Sequence, residues 1–226
     1  MKKLLFWMVL IVGILALIGS CAKKDEETAA TAAADNTTST DNTTSTTSYI
    51  STTTTASGSI TMGDDTLSGV YASECLTSAS TIAFFKATGF WASEVNAYGQ
   101  VFVVTGSDNI SIELYAFTDT SCSNLSQCQK TVSDNVTFGS ASGSNYPVTY
   151  NNQTQALTVH TTAAETALET LYSNALDFIV GTPIELPVSG SGLKYGLWTL
   201  SGTTWYEASS SSATPTSAGT VPHVKQ

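Results

Sequence analysis

Between residues 67 and 208, apolar side chains recur at every second position in short runs, and each run ends in a cluster of turn-forming residues. The clearest pair spans 101–105 and 110–117, on either side of Gly106-Ser107-Asp108-Asn109. In the second run Ile110, Ile112, Leu114 and Ala116 share one face, while Ser111, Glu113, Tyr115 and Phe117 share the other. A strand turns successive side chains to opposite faces, so this spacing answers to a sheet with one buried face. An amphipathic helix would instead repeat its apolar residues at three- and four-residue steps.

Further strands are expected at 67–75 and at 81–86, the latter short and rich in β-branched and aromatic residues. Residues 132–138, 146–150 and 156–161 continue the pattern, the last two joined across Asn151-Asn152-Gln153, and 177–180 and 184–188 follow. A closing hairpin runs from 193–200 to 203–208 and turns at Ser201-Gly202. One segment, 162–174, departs from strand spacing. Thr161 or Thr162 stands where a cap belongs, and Ala163, Ala164, Ala167, Leu168 and Leu171 favour helix. Many short strands with one short helix predict a mainly β domain over 58–209. The expected architecture is a single small antiparallel β-barrel of about eight strands, with a β-sandwich as the alternative. Residues 210–226, rich in Ser, Thr and Pro, are expected to form a disordered tail.

Upstream of this domain, Lys2 and Lys3 precede an apolar run over 4–18, followed by Gly19, Ser20 and Cys21. A charged start, a short apolar stretch and small residues before a cut site predict a signal peptide over 1–20. The run falls short of the roughly 20 apolar residues that a membrane-spanning helix needs. Ile18-Gly19-Ser20-Cys21 resembles the lipobox of bacterial lipoproteins, in which a branched apolar residue and two small ones precede the cysteine. The resemblance implies that Cys21 is thioether-linked to diacylglycerol and that its freed amine is open to a further acyl chain such as palmitate. Two or more chains anchor stably, whereas one binds only marginally. In the family's sorting rule for enteric bacteria an Asp after the cysteine retains the protein at the inner membrane. Ala22 therefore implies a lipid anchor in the outer membrane, with the periplasmic or surface face left open.

Residues 21–57 are dominated by Thr, Ser, Ala, Asn and Asp, and Asp-Asn-Thr-Thr-Ser-Thr occurs twice in succession from Asp35 and Asp41. Such a stretch cannot bury enough apolar surface to offset the entropy of ordering it, so a disordered linker is expected.

The net charge of the chain is −10, and it contains no arginine. Residues 58–226 carry 13 acidic residues against 4 lysines, a net −9. Nucleic-acid binding needs a basic patch for the phosphates, and the same deficit argues against a surface that grips anionic lipid. Nucleic acid is therefore not an expected partner, and membrane attachment falls to the acyl chains on Cys21.

With Cys21 lipidated, Cys75, Cys122 and Cys128 remain, an odd number for an oxidising compartment. One disulfide and one leftover thiol is the simplest account. The expected bridge is Cys75 to Cys122, tying the end of the first strand to the end of the strong hairpin. It closes a loop of roughly 46 residues, worth about 4 kcal/mol in the chain-entropy account. The alternative, Cys122 to Cys128, closes only a small local loop. Five residues separate those two, so they make no C-x-x-C redox pair.

No constellation for catalysis emerges. His160 is the one histidine inside 58–209 and is expected to be structural, and His223 falls in the predicted tail. Glu74, Glu94, Glu113, Asp119, Glu165, Glu169, Asp177, Glu185 and Glu207 are scattered singly, and Asp64-Asp65 after Gly63 suits a solvated turn. No Cys/His spacing suggests zinc. No catalytic residue, metal or cofactor is expected, and the chain is not expected to be an enzyme.

Gly69-Val70-Tyr71, with Cys75 soon after, is similar to the start of lipocalin-like domains, whose first strand carries Gly-x-Trp. The stretch from Tyr115 through Asp119 to Cys122 resembles the strand ending in Asp-x-x-Cys of some bacterial lipocalin-like lipoproteins, where the cysteine pairs with one after the first strand. Tyr71 stands in place of the tryptophan, and the arginine that covers it in lipocalins has no counterpart. The resemblance implies a small barrel with an apolar cavity and carries over no catalytic residue. Two functions follow as expectations: binding a small apolar or lipid ligand, or a non-catalytic structural or surface role toward an envelope or host protein.

Overall fold

The computed structural model describes residues 48–188 and 192–226. In chain order its elements are β1 (Ile60–Met62), β2 (Asp65–Leu67), β3 (Val70–Ala72), α1 (Ala79–Ala87), β4 (Ala97–Val104), β5 (Ile110–Phe117) and β6 (Leu125–Phe138). They continue with β7 (Asn145–Val159), α2 (Thr162–Leu171), β8 (Pro183–Leu186), β9 (Leu193–Ser201), β10 (Thr204–Ser210) and β11 (His223–Lys225). The predicted signal, Cys21 and the linker up to residue 47 lie outside the described residues.

Eight strands close into an antiparallel barrel in the cyclic order β3-β4-β5-β6-β7-β9-β10-β11, with β11 returning to β3. Each stave pairs with its neighbour in sequence, and β8 is an addition along the far half of β7. Closure leaves no bare edge in the cycle, which satisfies the ladder of every stave. The alternation along 110–117 holds in register with β4, from Ala97↔Phe117 to Val104↔Ile110.

Five local expectations are corrected. Residues 81–86 are not a strand but lie in α1, so the domain has two helices. Ser78 caps α1 by accepting from the Thr81 amide, and Ile82 and Phe85, three apart, bury against the core. Their β-forming side chains are overruled by that packing. Asn151-Asn152-Gln153 is no turn, because β7 runs straight through it. The register of β6 on β7 slips between Val132 and Ser133 and again between Asp134 and Thr137, where Asn135 takes a φ of 53°. Bulges absorb the extra residues, and β7 changes its other neighbour from β9 to β8 across this point.

Residues 177–180 form no strand. Phe178 anchors the segment in the core while Ile179 and Val180 are exposed. The expected disordered tail is structured at its end: β11 pairs through Val224↔Ala72 and Trp205↔His223 and supplies the stave that closes the barrel. Finally, residues 48–57, assigned to the linker, lie along the outer wall. The Ile50 amide donates to Ser73 O at 3.1 Å and the Ser57 amide to Val104 O at 2.9 Å. Ile50 is buried over Gly99, where a Cβ would come within 2.2 Å of its side chain. This strap covers an outer apolar cluster that includes Ala97, Val101, Val103 and Phe117.

Two apolar clusters fill the barrel at different heights. One joins Tyr71, Phe102, Val148, Trp198 and Trp205 to Ile60, Met62 and Leu67 of the β1–β2 hairpin. The other joins Tyr98, Ala116, Leu157 and Val159 to Phe85 and Trp91 of the α1 region and Ala164, Leu168 and Phe178 of the α2 region.

Candidate functional site

Between the two clusters the inward positions change character. Along β4 the inward series is Tyr98, Gln100, Phe102, and Gln100 stands level with a cavity of about 710 Å³. Neighbouring strands add Ile112 and Leu114 from β5, Gln129 and Thr131 from β6, and Tyr150 and Asn152 from β7. Lys194 comes from β9, Glu207 and Ser209 from β10, and His223 from β11. The connection from β10 to β11 supplies the rest of the wall, from Ala213 to Val221. It packs so closely that a Cβ on Gly219 would fall 1.9 Å from the Glu207 carbonyl oxygen. The volume lies within the range of about 300–1,000 Å³ common for small-molecule sites. The cavity wall is partly apolar, through Phe102, Ile112 and Leu114, and carries a belt of polar side chains between the two apolar clusters.

His223 is 1 % exposed, and its Nδ1 lies 3.3 Å from the Trp205 carbonyl oxygen. A carbonyl only accepts, so Nδ1 carries the hydrogen and Nε2 is left as an acceptor. Nε2 has no hydrogen-bond partner. Burial lowers the imidazole's pKa to about 4, against a slight rise from the Trp205 carbonyl, so the ring is neutral near pH 7. Phe102 meets it edge-on at 4.7 Å between ring centroids.

Glu207 stands directly across the ladder from Trp198 and diagonally from His223, on the same inward face. Burial pushes its carboxyl up to about 7, with a hydrogen bond from Ser209 pulling the other way. Tyr150 is held well above the usual phenol range by burial and by the nearby Glu207 charge. Lys194 is opposite Tyr150 in the ladder, and burial lowers the pKa of its ammonium. Among the described residues the one ion pair is Lys130 with Glu113, 3.9 Å apart on the outer wall. Neither Lys194 nor Glu207 therefore has a charged partner within the described barrel.

Glu113 offers a contrast. At 1 % exposure it is the more deeply buried of the two, and it sits under the strap in a complete web. Thr52 Oγ1 and Tyr115 OH donate to Oε2 at 2.5 Å, Ser111 Oγ lies 3.3 Å from Oε1, and Thr54 Oγ1 donates to Oε1 as well. Lys130 Nζ donates to Thr54 at 2.7 Å. A buried carboxylate so served is a structural clasp. Next to the clasp, burial and the Glu113 charge push the Cys128 thiol up to about 12, which makes it inert.

The expected bridge is present: Cys75 and Cys122 are joined with Cα atoms 5.8 Å apart, and Cys128 is free. His160, the histidine expected to be structural, lies exposed at the surface, and the buried histidine is His223. Among the described residues no group of three or more His, Cys, Asp or Glu side chains could hold a metal ion.

Lys194, Glu207 and His223 are absent from every motif, yet a signal for them exists. Each occupies the inward phase of its strand, as do Gln100, Gln129 and Asn152. A polar residue where alternation calls for an apolar one marks a cavity wall. The chain matches no protein-family model, and no curated protein shows significant sequence similarity to it.

Proposed function

We propose that this protein is a lipid-anchored envelope protein that binds a small amphipathic molecule inside its barrel. The observation that carries the reading is the polar belt itself. Buried polar groups are normally paired, because an unpaired one costs about 1–3 kcal/mol. Here His223 Nε2 lacks a partner and two opposite charges line one cavity without meeting. A ligand with polar groups of its own would satisfy them, while Phe102, Ile112 and Leu114 would bury its carbon body. A barrel serving only as a packed surface module would have no use for such a belt, so the cavity favours binding over the structural alternative. The lipobox-like Ile18-Gly19-Ser20-Cys21 supports the anchor and the address.

Native mass spectrometry of the full chain, expressed and extracted from membranes, tests this. A stoichiometric non-protein adduct that is lost on denaturation is the expected result. A bare protein mass at every activation energy would count against binding.

A further inference from the structure

The cavity's two ionisable ends sit at different heights on neighbouring strands. Glu207 is level with Trp198, whereas Lys194 lies four positions further along β9. Four residues of strand span about 13 Å, so the two backbone positions are far apart for an ion pair. Beside Glu207, whose carboxylate accepts from Ser209, the adjoining strand adds a second acceptor, the bare Nε2 of the 1 % exposed His223. Two acceptors beside a negative charge suit a group that donates several hydrogens and is itself positive. An ammonium does both. At the other end Lys194 is a half-buried cation with no acid near it among the described residues, and Asn152 lines the same cavity. That end suits an acid group.

We propose, building on the small-molecule reading above, that the ligand is a zwitterion. Its ammonium is received by Glu207 and His223, its acid group by Lys194, and the two are separated by an extended, partly apolar spacer. The spacing follows from the ladder: with the side chains reaching inward, the charges of the ligand stand on the order of 10 Å apart. Phe102, Ile112 and Leu114 face the spacer. Each end alone gains one charged contact and leaves the other buried ion unmatched. A molecule carrying both ends matches both, so it binds better than either half.

The test uses the full chain extracted in a non-ionic detergent and four probes with the same carbon chain: ω-aminooctanoate, octylamine, octanoate and octanol. Binding is followed by calorimetry and by the emission of Trp198 and Trp205, the ladder partners of Glu207 and His223. The zwitterion is expected to bind at least about tenfold tighter than octylamine or octanoate, the equivalent of about 1.4 kcal/mol. Glu207→Gln should remove its advantage over octanoate, and Lys194→Met its advantage over octylamine. Near-ultraviolet dichroism of both variants confirms that each is folded, and Glu207→Asp should restore part of the binding. If octanol and octanoate bind as well as the zwitterion, the zwitterion inference is overturned while the binding barrel stands. If no probe binds and the membrane-extracted protein carries no adduct, the binding reading itself falls. An adduct whose fragments lack either an amine or an acid group also overturns the inference.

Discussion

Two carboxylates, Glu113 and Glu207, show what a single residue means in this fold. Glu113 receives hydroxyls from Thr52, Thr54, Ser111 and Tyr115, so its charge is part of the clasp that holds the strap. Glu113→Gln turns one acceptor oxygen into a donor facing those hydroxyls. We expect a loss of about 1–3 kcal/mol by urea denaturation and faster hydrogen exchange at the Ile50 and Ser57 amides. Glu207 and His223 shape the pH dependence in opposite senses. The carboxyl pKa of Glu207 rises from an ordinary 4.5 to about 7, so over that window the native state binds more protons and stability falls as pH rises. The pKa of His223 drops from 6.5 to about 4, so there the unfolded state binds more protons and stability falls as pH drops. In the same cavity burial raises the pKa of the Tyr150 phenol and lowers that of the Lys194 ammonium. Between about pH 4.5 and 6.5 the two effects oppose each other, and the wild-type melting temperature should vary little from this source. Glu207→Gln should leave a melting temperature that falls on acidification, and His223→Gln one that falls as pH rises. Parallel pH profiles for the two variants would contradict the assignment.

Among the elements, the shortest ones finish the architecture. β3 and β11 have three residues each, yet their pairing closes the cycle, and β11 delivers His223 to the cavity. Neither is strong alone, since a few ladder bonds cannot offset the entropy of ordering a chain end. They are held because neighbours on both sides bury them: Ala72 is fully buried and His223 nearly so. The Cys75–Cys122 bridge acts on the same region. It ties the segment after β3 to the end of the β5 hairpin arm, 47 residues on. Cys75→Ser with Cys122→Ser should lower stability by about 4 kcal/mol, measured by denaturant unfolding against the oxidised wild type. A loss below about 1 kcal/mol would mean that the closed barrel already restrains the loop.

On the scale of the whole molecule, the proposed attachment and the proposed binding fall to separate parts of the chain. Residues 58–226 carry a net −9 and no arginine, so they offer no basic patch for anionic lipid, and no described helix is long and apolar enough to cross a membrane. If the lipobox-like segment works as it does in lipoproteins, Cys21→Ser should move the protein from the membrane pellet to the soluble fraction. The isolated variant should bind ω-aminooctanoate with the affinity of the anchored protein. Retention of the variant in the pellet would show a second attachment.

Alternation by itself determined the class of this protein. Strands at 101–105 and 110–117, the final hairpin and the helix from 162 were legible because each is specified by neighbours within a few residues. So was the pairing of Cys75 with Cys122, which rests on chain positions. What only tertiary structure decided are the features that depend on residues remote in sequence. Thr81 to Lys86 became helical because Ile82 and Phe85 are buried against Trp91, Leu168 and their neighbours at that end of the barrel. The tail became a stave because β3 and β10 leave one place between them. The cavity has the same origin: Gln100, Lys194, Glu207 and His223 are ordinary polar residues until closure of the barrel turns them onto one shared cavity. Local pattern sets which side of a strand a residue takes; only the assembled barrel sets what it faces there.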